Sequence, residues 1–231
     1  MIEAEAYRAL SSKSRLEILK LLYRKQMSVE EIAKDLTLQP ITIRHHIQSL
    51  VEAGFIETVE ERAGSVGRPK IFYRMVKQPT LVSYPKRQYL MLTNFMINTL
   101  RFMHGENQTQ KVIRKAGLEM GKSTAKKLES DNEIREWSLK AFERFFINDY
   151  LEKMGAEPEI TETNDKKIVY RLHNCLFFEM ALKMPEIICD TLHESFHEGL
   201  MTAMGQEMKI NQLTCMGKGD HYCEHSCELN K

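Results

Sequence analysis

Cysteine is absent from the first 174 residues of this 231-residue chain, and all five fall between Cys175 and Cys227. Neither charge dominates: 33 Lys and Arg stand against 32 Asp and Glu, a formal net charge of +1. That sum does not exclude a nucleic-acid partner, because a binder need only concentrate its basic residues on one face. No run approaches the ~20 apolar residues of a membrane span. The opening MIEAEAYRALSS is acidic and lacks the apolar core of a secretory signal, so a cytoplasmic, reducing location is expected and no membrane partner. There, clustered cysteines serve as metal ligands or redox sensors more often than as structural disulfides, and an odd number of them fits a pure disulfide framework poorly. Repeats, low-complexity tracts, a P-loop, a Rossmann glycine run and a nucleophile elbow are all missing, so no enzyme is expected. Hydrophobic residues at 42% and charged residues at 28% are ordinary for a packed globular protein.

The N-terminal third reads as three helices and a hairpin. Residues 6–24 form an amphipathic stretch with Leu10, Leu16, Ile18, Leu19, Leu21 and Leu22 on its apolar face. Ser28 and Glu31 have the spacing of a capping box for a short helix over 29–36 that buries Ile32, Ala33 and Leu36. Pro40 opens a third helix, about 40–53, at a position where its missing N–H costs nothing, and Gly54 stops it. Ile43, Ile47, Leu50 and Val51 point inward there, while Thr42, Arg44, His45, His46 and Gln48 point outward. His45 and His46 are neighbours about 100° apart on a helix, so they cannot chelate a metal together. Strands over 56–61 and 70–75 follow, joined by a basic turn ending Gly-Arg-Pro-Lys.

The order of three helices and a hairpin, with the string SVEEIAKDLTLQPITIRHHIQSLVEAGFIETVEE and the later GRPKIFYRM, resembles winged helix-turn-helix regulators of the ArsR and MarR families over residues 6–76. That resemblance implies binding to double-stranded DNA through the third helix. Gln39, Thr42, Arg44, His45, His46 and Gln48 would reach base edges or phosphates in the major groove, and Arg68 and Lys70 the backbone or minor groove.

Residues 76–87, with Pro79 and Pro85, read as a linker. A Met-rich helix over 88–104 repeats Tyr89, Met96 and Met103 every seven residues, a spacing that suits either a homodimer seam or plain burial. Helices are expected over 108–128 and 132–154, a hairpin over 159–163 and 167–172, a helix from Pro185 to Met204, and a closing hairpin over 207–215 and 221–229.

The cysteine spacing is Cys175-x13-Cys189-x25-Cys215-x7-Cys223, with Cys227 behind. Four thiolates suffice for a [2Fe–2S] or [4Fe–4S] cluster, and the missing compact CxxC knuckle disfavours a standard structural zinc site. Asn174-Cys175, Pro185-Glu186 before Cys189, and Cys215 followed by Gly219-Asp220 and Cys223 resemble the C-terminal domain of SufR-type regulators. These hold an iron–sulfur cluster and repress cluster-assembly genes. The last hairpin is also similar to vinyl-reductase-type ligand-binding domains. By the first resemblance Cys175, Cys189, Cys215 and Cys223 are the ligands, with Cys227 as a possible substitute. Three other readings stay open: zinc held by cysteines with His193, His197, His221 or His225; a reversible thiol switch; and an apolar ligand lined by Phe177, Phe178, Met180, Met184 and Met201.

The expected architecture is therefore α+β, with a winged helix-turn-helix at 1–78, a linker and dimerisation helix at 79–105, and a sensor domain at 106–231. The expected function is a DNA-binding transcription regulator, a repressor, whose operator affinity follows an iron–sulfur cluster or the redox state of these cysteines.

Overall fold

A computed structural model describes residues 2–61, 69–76, 87–205 and 208–229. The chain divides into two compact units, Met1–Arg87 and Gln88–Lys231.

In the first unit, α1 (Ile2–Leu10) and α2 (Lys13–Arg24) replace the single expected helix. Ser11 and Ser12 interrupt it, because short hydroxyl side chains offer the backbone a competing partner. Ser11 Oγ donates to the Arg8 carbonyl, and Arg15 reaches back to the carbonyls of Ala9 and Arg8. The break shifts the phase of the apolar stripe. Ile18, Leu19 and Leu22 are buried as expected, whereas Leu16 is 43% exposed and Leu10 and Leu21 are half-buried. Helix α3 (Val29–Asp35) opens with the full capping box: Ser28 Oγ accepts from the Glu31 N–H, and the Ser28 N–H donates to the Glu31 carboxylate at 2.7 Å. Helix α4 (Pro40–Glu52) buries Ile43, Ile47 and Leu50 but leaves Val51 at its outer edge. Strands β1 (Ile56–Glu61) and β2 (Lys70–Met75) pair antiparallel from Ile56↔Met75 to Glu61↔Lys70. An isolated bridge between Met27 and Tyr73 ties the hairpin to the start of α3. The core of this unit is Ile18, Ile32, Ile43, Leu50 and Ile56, each at most 2% exposed, with their buried neighbours.

The second unit begins with α5 (Tyr89–His104) and α6 (Glu106–Asn132). Next, α7 (Leu139–Ala141), capped by Ser138, continues as a π-helical segment, Phe142–Leu151. The expected helix over 132–154 thus starts later, since α6 runs to Asn132 and a turn intervenes. Buried Trp137 occupies that turn and donates to Glu129 at 2.7 Å.

Two hairpins then build one antiparallel sheet. Strands β3 (Pro158–Thr163) and β4 (Lys167–Leu172) form the first, β5 (Met208–Thr214) and β6 (Cys223–Leu229) the second, in the order β3-β4-β6-β5. Between the hairpins lie α8 (Phe178–Lys183), which the sequence pattern did not reveal, and α9 (Pro185–Ile187). A second π-helical segment, Ile188–His193, leads from α9 into α10 (Glu194–Met204).

Helix α10 packs along α6 with backbone nearly on backbone. A Cβ on Gly121 would lie 2.0 Å from the Phe196 carbonyl oxygen, and one on Gly199 would lie 2.1 Å from that of Leu118. Only glycine fits there. The sheet face carrying Ile168, Tyr170 and Leu172 is buried against Phe142, Phe146, Phe196 and Leu200. A smaller core joins Ile97 of α5 to Met180, Met184, Ile187, Cys189 and Cys215.

Candidate functional site

The α4 surface presents the expected contact residues. Gln39 precedes the helix and is exposed, as are Arg44, His45 and Gln48, while Thr42 and His46 are half-buried. His46 is held below the usual imidazole range by burial first and then by Arg15 and His45, so it is neutral at physiological pH. The remaining polar groups are only lightly tied. Arg44 meets Glu30 at 3.4 Å with both side chains exposed, and Gln48 donates to Glu52. An exposed ion pair of this kind contributes little, leaving the guanidinium free to exchange a carboxylate for a phosphate. Lys70 lies over the Phe72 ring at 4.8 Å. Arg68 lies outside the described residues, as do positions 77–86 of the expected linker.

In the second unit Cys175 follows β4 ahead of α8, Cys189 sits in the second π segment, Cys215 follows β5, and Cys223 starts β6. None is in a disulfide. Cys189 and Cys223 each interact with the Cys215 thiol, and Cys175 lies near enough to feel Cys215 electrostatically. The turn Met216–Lys218 holds the last two: the Met216 N–H donates to Cys223 Sγ at 3.3 Å, and the Cys215 N–H donates to Asp220 at 2.7 Å. Lys218 pairs with Asp190 at 2.6 Å, tying this turn to the π segment. Burial pushes the Cys223 thiol up to about 12 and raises Cys175 and Cys189 as well. Such thiols are protonated and weakly nucleophilic unless a cation takes the proton's place. Cys227 stands apart; burial, and Glu228 after it, push its thiol up to about 12.

A second group lies beside the thiols. His193, His197 and His225 bring ring nitrogens within 4.8 Å of one another, and among the described residues no other trio of potential ligands does so. His193 ends the π segment and His197 follows in α10, and His225 projects from β6 between Cys223 and Cys227. Ring centroids are 4.4 Å apart for His193–His197, 5.3 Å for His193–His225 and 5.1 Å for His197–His225. Desolvation lowers the His193 imidazole to about 4, and His197 and His225 are also pushed well down, chiefly by burial. An unbroken α-helix would align Cys189 with His193 and His197. The π segment spaces Cys189 from them differently; Cys189 interacts with Cys215, while the two histidines meet His225. His221 is exposed in the turn before β6 and takes no part.

An open cavity of about 810 Å³ runs between α10 and β5, with Cys189, His193, His197, Cys215, Lys218 and Asp220 on its wall. The expected apolar lining does not assemble. Met180 and Met184 belong to the core against α5, Met201 to the core against the sheet, and Phe177 is exposed. Among the described residues no helix is long and apolar enough to cross a membrane.

A search of curated proteins finds no significant match. Solved structures give remote likenesses. One is a trafficking protein particle complex subunit 3 from Naegleria fowleri, covalently bound to palmitic acid: 11% identity, 62% of this chain and 93% of that one, TM-score 0.46. Another is the phenol-responsive sensory domain of the transcription activator PoxR with phenol: 10% identity, 68% and 80%, TM-score 0.46. Scores this low carry no argument about function. Residues 12–58 match the model of the bacterial regulatory protein arsR family. With α3 and α4 in place and the outward side chains of α4 unencumbered, that match supports a DNA-binding transcription regulator.

Proposed function

We propose that the chain is a cytoplasmic, homodimeric repressor whose operator affinity is set by an iron–sulfur cluster, or by the redox state, of Cys175, Cys189, Cys215 and Cys223. The observation that supports the reading is that Cys175, Cys189 and Cys223, on separate elements, each interact electrostatically with Cys215. The donor set suits the group: four sulfurs and no competing carboxylate among the named ligands. When bound, the cluster supplies a charge that responds to oxidation and a covalent tie among the elements holding it.

The chain's own residues would carry the response. Cys175 leads into α8, and Cys189 shares a core with Met180, Met184 and Ile97. A shift at the thiols therefore presses on α5, the helix that follows the winged-helix unit in sequence. Helix α5 also leaves Tyr89, Leu92, Met96 and Met103 exposed, with Phe102 at 92%. Apolar side chains recurring at heptad spacing on one free helix suit a seam with a second copy.

Packing over Cys189 favours a second, smaller occupant. A Cβ on Gly217 would fall 2.8 Å from Cys189 Sγ, leaving little room on that side. A single zinc ion held by Cys215 with Cys189 or Cys223, its other positions taken by water, is the alternative.

Anaerobic purification with iron, acid-labile sulfide and zinc measured on one sample tests both. Iron and sulfide in matching amounts support the cluster, and stoichiometric zinc without iron supports the single ion. Neither metal, even after cluster reconstitution, overturns both.

A further inference from the structure

We propose that His193, His197 and His225 form a second metal site, separate from the thiols, for a divalent transition-metal ion of the zinc class, with one coordination position open to the cavity between α10 and β5.

His225 gives the strongest reason. It is buried on β6 at 0% exposure, and neither ring nitrogen has a hydrogen-bond partner. An unsatisfied buried polar group costs about 1–3 kcal/mol, and nearly all such groups in folded proteins are paired. Here the ring stacks on Tyr170 at 5.2 Å and otherwise faces two more imidazoles. A core that only needed to fill this space would take an apolar ring. Three imidazoles, each offering one ring nitrogen within 4.8 Å of the others, are what a borderline cation requires.

The surroundings fix the number of ligands. His193 and His197 line the cavity and His225 does not, so an ion among them has protein on one side and open space on the other. Three imidazoles and a free position are the arrangement of zinc sites that keep a position for water or a small ligand, whereas closed structural sites take four protein ligands. The fourth ligand is water or a small Lewis base entering from the cavity. The same wall carries Cys189 and Cys215, so occupancy of the two groups would be felt across it. The histidine site does not depend on what the thiols hold.

Cobalt(II) tests this on the reduced, chelator-stripped full-length protein, because it reports its ligands by colour. Bound to imidazoles it gives weak visible ligand-field bands; bound to thiolates it adds strong sulfur-to-metal charge transfer. A binding step with ligand-field bands and no charge transfer is expected. His193→Gln, at a half-buried position, should weaken that step at least about tenfold. His193→Gln with His197→Gln should remove it while leaving any charge-transfer signal untouched. Zinc should compete the step away. The proposal fails if the wild-type protein shows no such step, or if variants with wild-type melting temperatures bind cobalt as tightly as before. Loss of the charge-transfer signal in the histidine variants would also overturn it, since thiols and histidines would then share one ion, whereas its absence from the wild-type protein would count against the thiol reading alone.

Discussion

Arg101 of α5 and Glu186 of α9 are joined at 2.8 Å across the small core that houses Cys189. The same guanidinium reaches Met184 Sδ at 3.2 Å and Glu106 at 2.8 Å, so one side chain links α5, α6 and α9, just ahead of the π segment. The carboxylates offset the desolvation that would otherwise lower the Arg101 guanidinium, and its affinity for the proton is raised.

Removing that link by Arg101→Ala should cost about 1 kcal/mol, since the pair is only partly shielded from water. A fall in melting temperature of about 2–4 °C is expected, read by calorimetry on the second unit's transition. An unchanged transition would mean that the contact carries no load.

Glycine at the α6–α10 crossing should be far less replaceable. Gly121→Ala places a methyl carbon against the Phe196 carbonyl and should destabilise by about 1–3 kcal/mol or more. Lys126→Ala, on the exposed side of the same helix, is the control and should change nothing measurable. Denaturant midpoints compare the two.

On α4, Arg44→Ala should weaken binding to an operator obtained by selection by about 1–3 kcal/mol, with melting unchanged. Fluorescence anisotropy at two salt concentrations separates the modes. A reduced salt slope marks a phosphate contact, and relaxed sequence preference marks a base contact.

The capping box gives the first unit an acid-sensitive component. Bonds from the Ser28 hydroxyl and N–H hold the Glu31 carboxyl below its ordinary 4.5. A carboxyl lowered in the folded state adds stability above its unfolded value and loses it as pH falls through the folded one. Glu31→Gln should therefore flatten the acid side of the stability profile, and Ser28→Ala should cost about 1 kcal/mol at neutral pH. Chemical denaturation across the acid range checks both.

Among the cysteines, Cys215→Ser should abolish cofactor or metal binding at the thiols, whereas Cys227→Ser should leave it intact. Metal content per chain of the two purified variants decides, and equal losses would move Cys227 into the ligand set.

Much of the first unit was legible because its signals are local. Ser28 and Glu31 cap each other three residues apart, Pro40 opens α4, and β1 and β2 begin and end where alternation and turn residues predict. The break at Ser11–Ser12 was not, because Leu16 continues the apolar pattern that the break puts out of step. In the second unit β4 and the Pro185-to-Gly205 stretch followed local rules, but the π segments carry no periodicity signal of their own. The cysteine group was legible as composition. The histidine trio was only half so: His193 and His197 share a helix, while His225 reaches them through strand pairing that no short-range spacing reveals.

The π segment at Ile188–His193 works like a vernier between two rulers. It adds to one turn a residue that an α-helix would not hold, and one residue amounts to about 100° of rotation. Upstream of it the helix is indexed to the thiols; downstream it is indexed to β6 and the glycine-lined crossing. Deleting a single residue there would leave every ligand present in the chain and bring the wrong set into line, so the two groups hold their separate alignments only while the extra residue stays.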